Sequence, residues 1–170
     1  MNHLQYPIGK FKYNIDNKNY QEWIATINGF PTAVESHSFR MTDQQLNLPY
    51  RPEGWTAKQL IHHLADSHSH ALLRFKSALT EHKPTIKPYL EAEYALLPDY
   101  NLPIDSALMI LKGVHLKWVN LLENMAEDDY SKGYFHPESG HFFTIHNALA
   151  LYDWHCKHHL GHLEICSNKK

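Results

Sequence analysis

Residues 145–167 place Ile145, Leu149, Tyr152, His155, His159 and His162 at spacings of three and four. That period sets all six on one face of an α-helix. Thr144 stands where an N-cap belongs. The stripe opens with apolar side chains and closes with imidazoles, so the histidines point the way the core points. Such a helix must be covered by other helices, and its imidazoles must find partners there. A second cluster, His62-His63-Leu64-Ala65-Asp66-Ser67-His68, sits in an earlier segment that also reads as helical.

The remaining periodicity supplies the covering helices. Thr56 caps a helix over 57–81, whose stripe is Leu60, Leu64, Ala71, Phe75 and Ala78. Leu108, Leu111, His115, Trp118, Leu122 and Met125 form a bundle seam over 103–125. Tyr20, Trp23, Ile24 and Ile27 predict a helix over 17–29. Pro31 then reads as a first-turn proline that opens a second helical piece to residue 39. Thr42-Asp43-Gln44-Gln45 predicts a capped short turn of helix.

Residues 1–15 read as an irregular arm broken by Pro7 and Gly9. Pro84, Pro88, Pro98 and Pro103 make 81–103 a loop-like crossover. Segments 133–135 and 141–143 flank Pro137-Glu138-Ser139-Gly140 as a small hairpin. The expected architecture is all-α: one domain over 1–170, a four-helix bundle with one long crossover and a small β-hairpin.

Composition excludes some functions. A formal charge of −2 gives no electrostatic reason for nucleic acid or an anionic membrane as partner. No apolar run approaches the roughly 18 residues of a membrane span. The first residues lack the order of a signal peptide, so a cytoplasmic location is the expectation. Cys156 and Cys166, on one helix, would be separated by about 15 Å of rise. That is beyond the ~7 Å that a disulfide tolerates.

His155 and His159 lie one turn apart and can grip one cation. A third imidazole from another helix, His63, would complete a three-histidine set with an open coordination position. His62 competes with His63, and His158 with His162 is the alternative four-residue pair. His162 is also a candidate for a place behind the ligands. Asp66, three residues after His63, is a candidate to orient an imidazole or accept a proton, or is simply a solvated carboxylate. His115 interrupts an apolar seam, which usually marks a satisfied core histidine. Cys156 reads as a small packing residue.

The chain resembles the DinB-like metalloproteins and, within them, the YfiT type. The likeness runs nearly end to end. It includes Tyr6-Pro7-Ile8-Gly9, Pro49-Tyr50-Arg51-Pro52-Glu53-Gly54-Trp55-Thr56, and His62-His63-Leu64-Ala65-Asp66-Ser67-His68. It continues through Arg74-Phe75-Lys76, Ile86-Lys87-Pro88-Tyr89, Tyr134-Phe135-His136-Pro137, Tyr152-Asp153-Trp154-His155 and His158-His159. The resemblance implies an up-down-down-up bundle, often a homodimer. It implies one divalent ion, zinc or nickel, held by His63, His155 and His159. It also implies either metal-dependent hydrolysis or transfer of a low-molecular-weight thiol (bacillithiol, mycothiol or glutathione) to an electrophilic small molecule. Tyr50, Arg51, Arg74 and Tyr152 are then candidate substrate contacts, and His115 could line the cavity. A third reading is a metal-binding bundle without catalysis. No His-Glu-x-x-His motif occurs, which weakens peptide hydrolysis.

Overall fold

The computed structural model describes residues 3–12 and 16–169. Four long helices form the bundle: α1 (Tyr20–Ser38), α3 (Ala57–Thr80), α5 (Ile104–Glu123) and α6 (Ile145–Ser167). Short helices α2 (Asp43–Leu46) and α4 (Glu91–Tyr94) lie in the connections, with 3-10 turns at Pro98–Asn101 and Glu127–Ser131. The hairpin pairs β1 (Gly133–His136) with β2 (His141–Thr144), antiparallel, with Gly133 opposite Thr144 and His136 opposite His141.

The starts of the helices follow from local chemistry. Thr42 and Thr56 each accept a hydrogen bond from the amide three residues on, and the side-chain oxygens of Gln45 and Gln59 accept one from the cap amide. Those reciprocal bonds satisfy two otherwise orphaned donors. Thr144 caps α6 by accepting from the Asn147 amide.

Each long helix packs on two neighbours: α1 on α5 and α6, and α3 on α5 and α6. Partners along α3 rise in number with α3 itself: Lys58 and His62 reach Asn101 and Leu102 just before α5, and within α5 His68 meets His115 and Phe75 meets Trp118. The two helices therefore run parallel, and the long crossover exists to return the chain to the same end. Contacts between α3 and α6 run in opposite order, His63 with His159 and Phe75 with Tyr152. Helix α1 opposes α5 in the same way, with Ile27 on His115 and Tyr20 beside Leu122. The result is up-down-down-up.

Two expectations are corrected. The chain does not break at Gly29 and Pro31; α1 is one helix with Pro31 inside it and buried. Ile27, Phe30, Pro31 and Val34 all face the core. Packing along that stripe outweighs the ~3 kcal/mol that an interior proline ordinarily costs. The crossover is also not plain loop, because it carries α4 and a 3-10 turn. Among the described residues, no helix is long and apolar enough to cross a membrane.

Candidate metal centre

Helix α6 brings His155 and His159 to the α3 interface because both continue the stripe begun by Ile145, Leu149 and Tyr152. Helix α3 brings His63 to the same place. Its stripe of Leu60, Leu64, Phe75 and Ala78 is buried, and His63 is only 2 % exposed. The ring centroids of His63 lie 5.8 Å from His155 and 5.2 Å from His159, and the latter two are 4.4 Å apart. One nitrogen from each of the three rings falls within 4.8 Å of the others. His63 and His159 are buried, and His155 is half-buried as a residue.

Burial holds the three rings neutral. It pushes His63 down to about 4 and His155 and His159 well below the usual imidazole value, and the neighbouring imidazoles push the last two further. Neutral imidazoles expose lone pairs at neutral pH, as metal binding requires. His63 Nδ1 is buried with no hydrogen-bond partner. Three neutral nitrogens and an orphaned buried polar atom fit a borderline divalent cation such as zinc or nickel.

A second triad, His158, His159 and His162, meets the same distance limit. It shares His159 with the first, so the two triads compete for that ring. His162 is also engaged: its Nε2 donates to the Gln5 carbonyl at 3.2 Å, and its Nδ1 lies 3.3 Å from His159 Nδ1. His158 stacks on Trp154 at 4.4 Å. His162 stands behind His159, and Tyr50 stacks on it at 4.0 Å.

The other expected site residues fall in different places. Asp66 is turned away from the triad toward Tyr100, whose hydroxyl donates to it at 2.8 Å. His62 bonds the Leu102 carbonyl, outside the triad. Arg51 bonds the Pro52 carbonyl and the Tyr50 hydroxyl, so it reaches the centre only through Tyr50 and His162. Tyr152 is buried, 5.8 Å from His155 and 5.7 Å from His68 between ring centroids. Arg74 lies near Tyr152, where its positive charge favours the ionised phenol against the effect of burial; it keeps a buried Nε without a partner and forms no ion pair among the described residues. His115 lies one ring removed from the triad, against His68 at 2.7 Å. Cys156 and Cys166 are free and buried.

Sequence reasoning gave no role to His68 or to the N-terminal arm. His68 is fully buried and bridges His115 to His155. Its spacing of five from His63 obscured it, since that step leaves the His63 face. The arm packs Pro7 against Gly161, and Trp154 donates to the Gly9 carbonyl at 3.2 Å. Tyr6-Pro7-Ile8-Gly9 carried the only signal of that contact.

Comparison with known families matches residues 22–163 to the DinB superfamily. The chain belongs to the DinB superfamily. A Bacillus cereus relative, named provisionally as a metal-dependent hydrolase, is 43% identical over 96% of this chain and 95% of its own length. One from Oceanobacillus iheyensis with the same provisional name is 42% identical over 97% of each. The solved structure of YfiT from Bacillus subtilis superposes with a TM-score of 0.93 at 37% identity, covering 97% of this chain and 96% of that one. YfiT is described as having an unusual four-helix bundle topology, and as a metal-dependent hydrolase by the same provisional assignment. This DinB protein therefore has the YfiT fold and relatives whose names imply metal dependence.

Proposed function

We propose that this chain is a metal-dependent transferase that moves a low-molecular-weight, bacillithiol-like thiol onto an electrophilic small molecule. His63, His155 and His159 would hold one divalent cation, zinc or nickel. Bound there, the cation would supply the charge that strips the proton from a thiol or a water at neutral pH.

The observation that carries the choice of thiol is that, among the described residues, no carboxylate joins the triad. Among the described residues, the candidate metal-holding groups there are all imidazoles. Asp66 is held by Tyr100, and Asp153 by Lys157 at 2.8 Å. Activating water for hydrolysis is helped by a positioned base within hydrogen-bond reach. A coordinated thiol needs no such base, because the metal deprotonates it outright. Arg74 adds support: its unpartnered Nε, next to Tyr152, suits a carboxylate on the incoming thiol.

Hydrolysis is the second reading, favoured by the provisional names of the relatives. The test is protein loaded with zinc or nickel, assayed for loss of bacillithiol, glutathione or cysteine against a chloro-dinitrobenzene, and in parallel for hydrolysis of nitrophenyl esters. Metal-dependent thiol consumption that disappears in His155→Ala is expected. Arg74→Ala should raise KM for the thiol more than it lowers kcat. Metal-dependent ester hydrolysis without thiol turnover would replace the transferase reading with the hydrolase.

A further inference from the structure

A chain of buried rings runs from α1 to the metal centre. Pro31 lacks an amide hydrogen, so the Ile27 carbonyl, four residues earlier, loses its ordinary helical partner. His115 Nδ1 lies 2.6 Å from that carbonyl oxygen. His115 Nε2 lies 2.7 Å from His68 Nδ1, and His68 Nε2 lies 3.1 Å from His155 Nδ1. His68 and His115 are 0 % and 2 % exposed. Phe30 stacks on both rings at 5.1 and 5.6 Å, and Trp118 meets them edge-on.

The direction of every bond in this chain follows from its first member. A carbonyl oxygen only accepts, so His115 Nδ1 carries the proton. A neutral imidazole has one donor and one acceptor. His115 Nε2 must therefore accept, and His68 Nδ1 must donate to it. His68 Nε2 must then accept, and His155 Nδ1 must donate. The remaining nitrogen of His155, Nε2, is left with its lone pair exposed. We propose that His68 and His115, anchored on the carbonyl that Pro31 frees, are positioning residues that hold His155 in the tautomer whose Nε2 can bind a divalent cation. The inference rests on the metal-centre reading but not on which reaction the centre performs.

The same logic does not depend on the second triad. His159 Nδ1 meets a separate short relay through His162 to the Gln5 carbonyl. His155 and His159 are thus oriented by separate sets of partners. Partners behind a metal-binding histidine commonly change affinity 10–100-fold when removed.

The experiment is in two parts, on the full chain. Long-range nitrogen–proton NMR of the metal-free wild type reads each ring's tautomer directly. Protons on Nδ1 of His155, His68 and His115 are expected, although free histidine prefers Nε2. A proton on Nε2 of metal-free His155 would overturn the proposal. The second part titrates zinc into His68→Gln and His68→Leu. The Gln amide oxygen can still accept from His155 Nδ1, whereas Leu cannot. Zinc affinity is expected to fall 10–100-fold in the Leu variant and to stay within about fivefold of wild type in the Gln variant. Equal affinities in the two variants, whether both kept or both lost, would overturn the proposal. Both parts differ from the activity assays above, so a failed transferase assay leaves this result readable.

Discussion

Each of the three triad histidines alone carries a third of the proposed donor set. His63→Ala, His155→Ala and His159→Ala should each abolish stoichiometric zinc, measured by elemental analysis on untagged protein; metal retained in all three would end the assignment. His115 gives a different expectation because it lies away from the triad. Burial lowers its pKa from 6.5 to about 4, against the opposing pull of the Ile27 carbonyl. The unfolded chain therefore binds more protons at this position between pH 6.5 and 4. Stability of the metal-free protein is full above that window and falls as pH drops through it, by up to about 1.4 kcal/mol per pH unit from this group. His115→Leu should be less stable at pH 7 by about 2–4 kcal/mol, because it strands the Ile27 carbonyl and a His68 donor. It should also show a shallower acid slope in denaturant titrations. An unchanged slope would show that His115 is not the neutral buried group described.

At the scale of elements, the helices were legible in the sequence wherever the apolar period and a threonine cap coincided, as at Thr56 and Thr144. The hairpin was legible from Pro137 and Gly140 between aromatic strands. Pro31 was misleading because its local meaning, a helix start, was overridden by burial of the whole Ile27–Val34 face and by a hydrogen bond from a residue on another helix. No local pattern can announce a partner so distant. The convergence of His63 with His155 and His159 was legible only as two stripes that needed each other. The role of the arm was not, because its contribution is a backbone carbonyl, which every residue has. The arm lies on α6 because residue 161 is glycine; an added Cβ would sit 2.9 Å from the Pro7 ring. Gly161→Val should lift the arm, release the Gln5 carbonyl from His162 and weaken zinc binding. The expected loss is about tenfold by competitive titration. Unchanged affinity would mean that the arm does not steady His159.

On the whole molecule, an apolar face remains uncovered where α3 and α5 lie side by side. Leu73, Met109 and Ile110 are 62, 68 and 50 % exposed there, around a shallow surface depression. The homodimer implied by the family resemblance would cover such a face. Met109→Glu should then convert a dimer to a monomer by light scattering; a wild-type monomer would remove the expectation. Occupancy of the metal centre should also raise Tm. Free zinc at a hundred times its Kd stabilises a single site by about 2.7 kcal/mol. For a chain of this size that is about 5–10 °C. The convergence of α3 and α6 on one triad ties together distant parts of the chain. His63 and His159 belong to opposite ends of a loop roughly a hundred residues long, so an ion shared between them behaves as a removable cross-link. Peeling the C-terminal half of α6 from the bundle would first require the ion to leave. Amide hydrogen exchange around residues 155–163 should therefore slow from local fraying toward the global limit when the ion is bound.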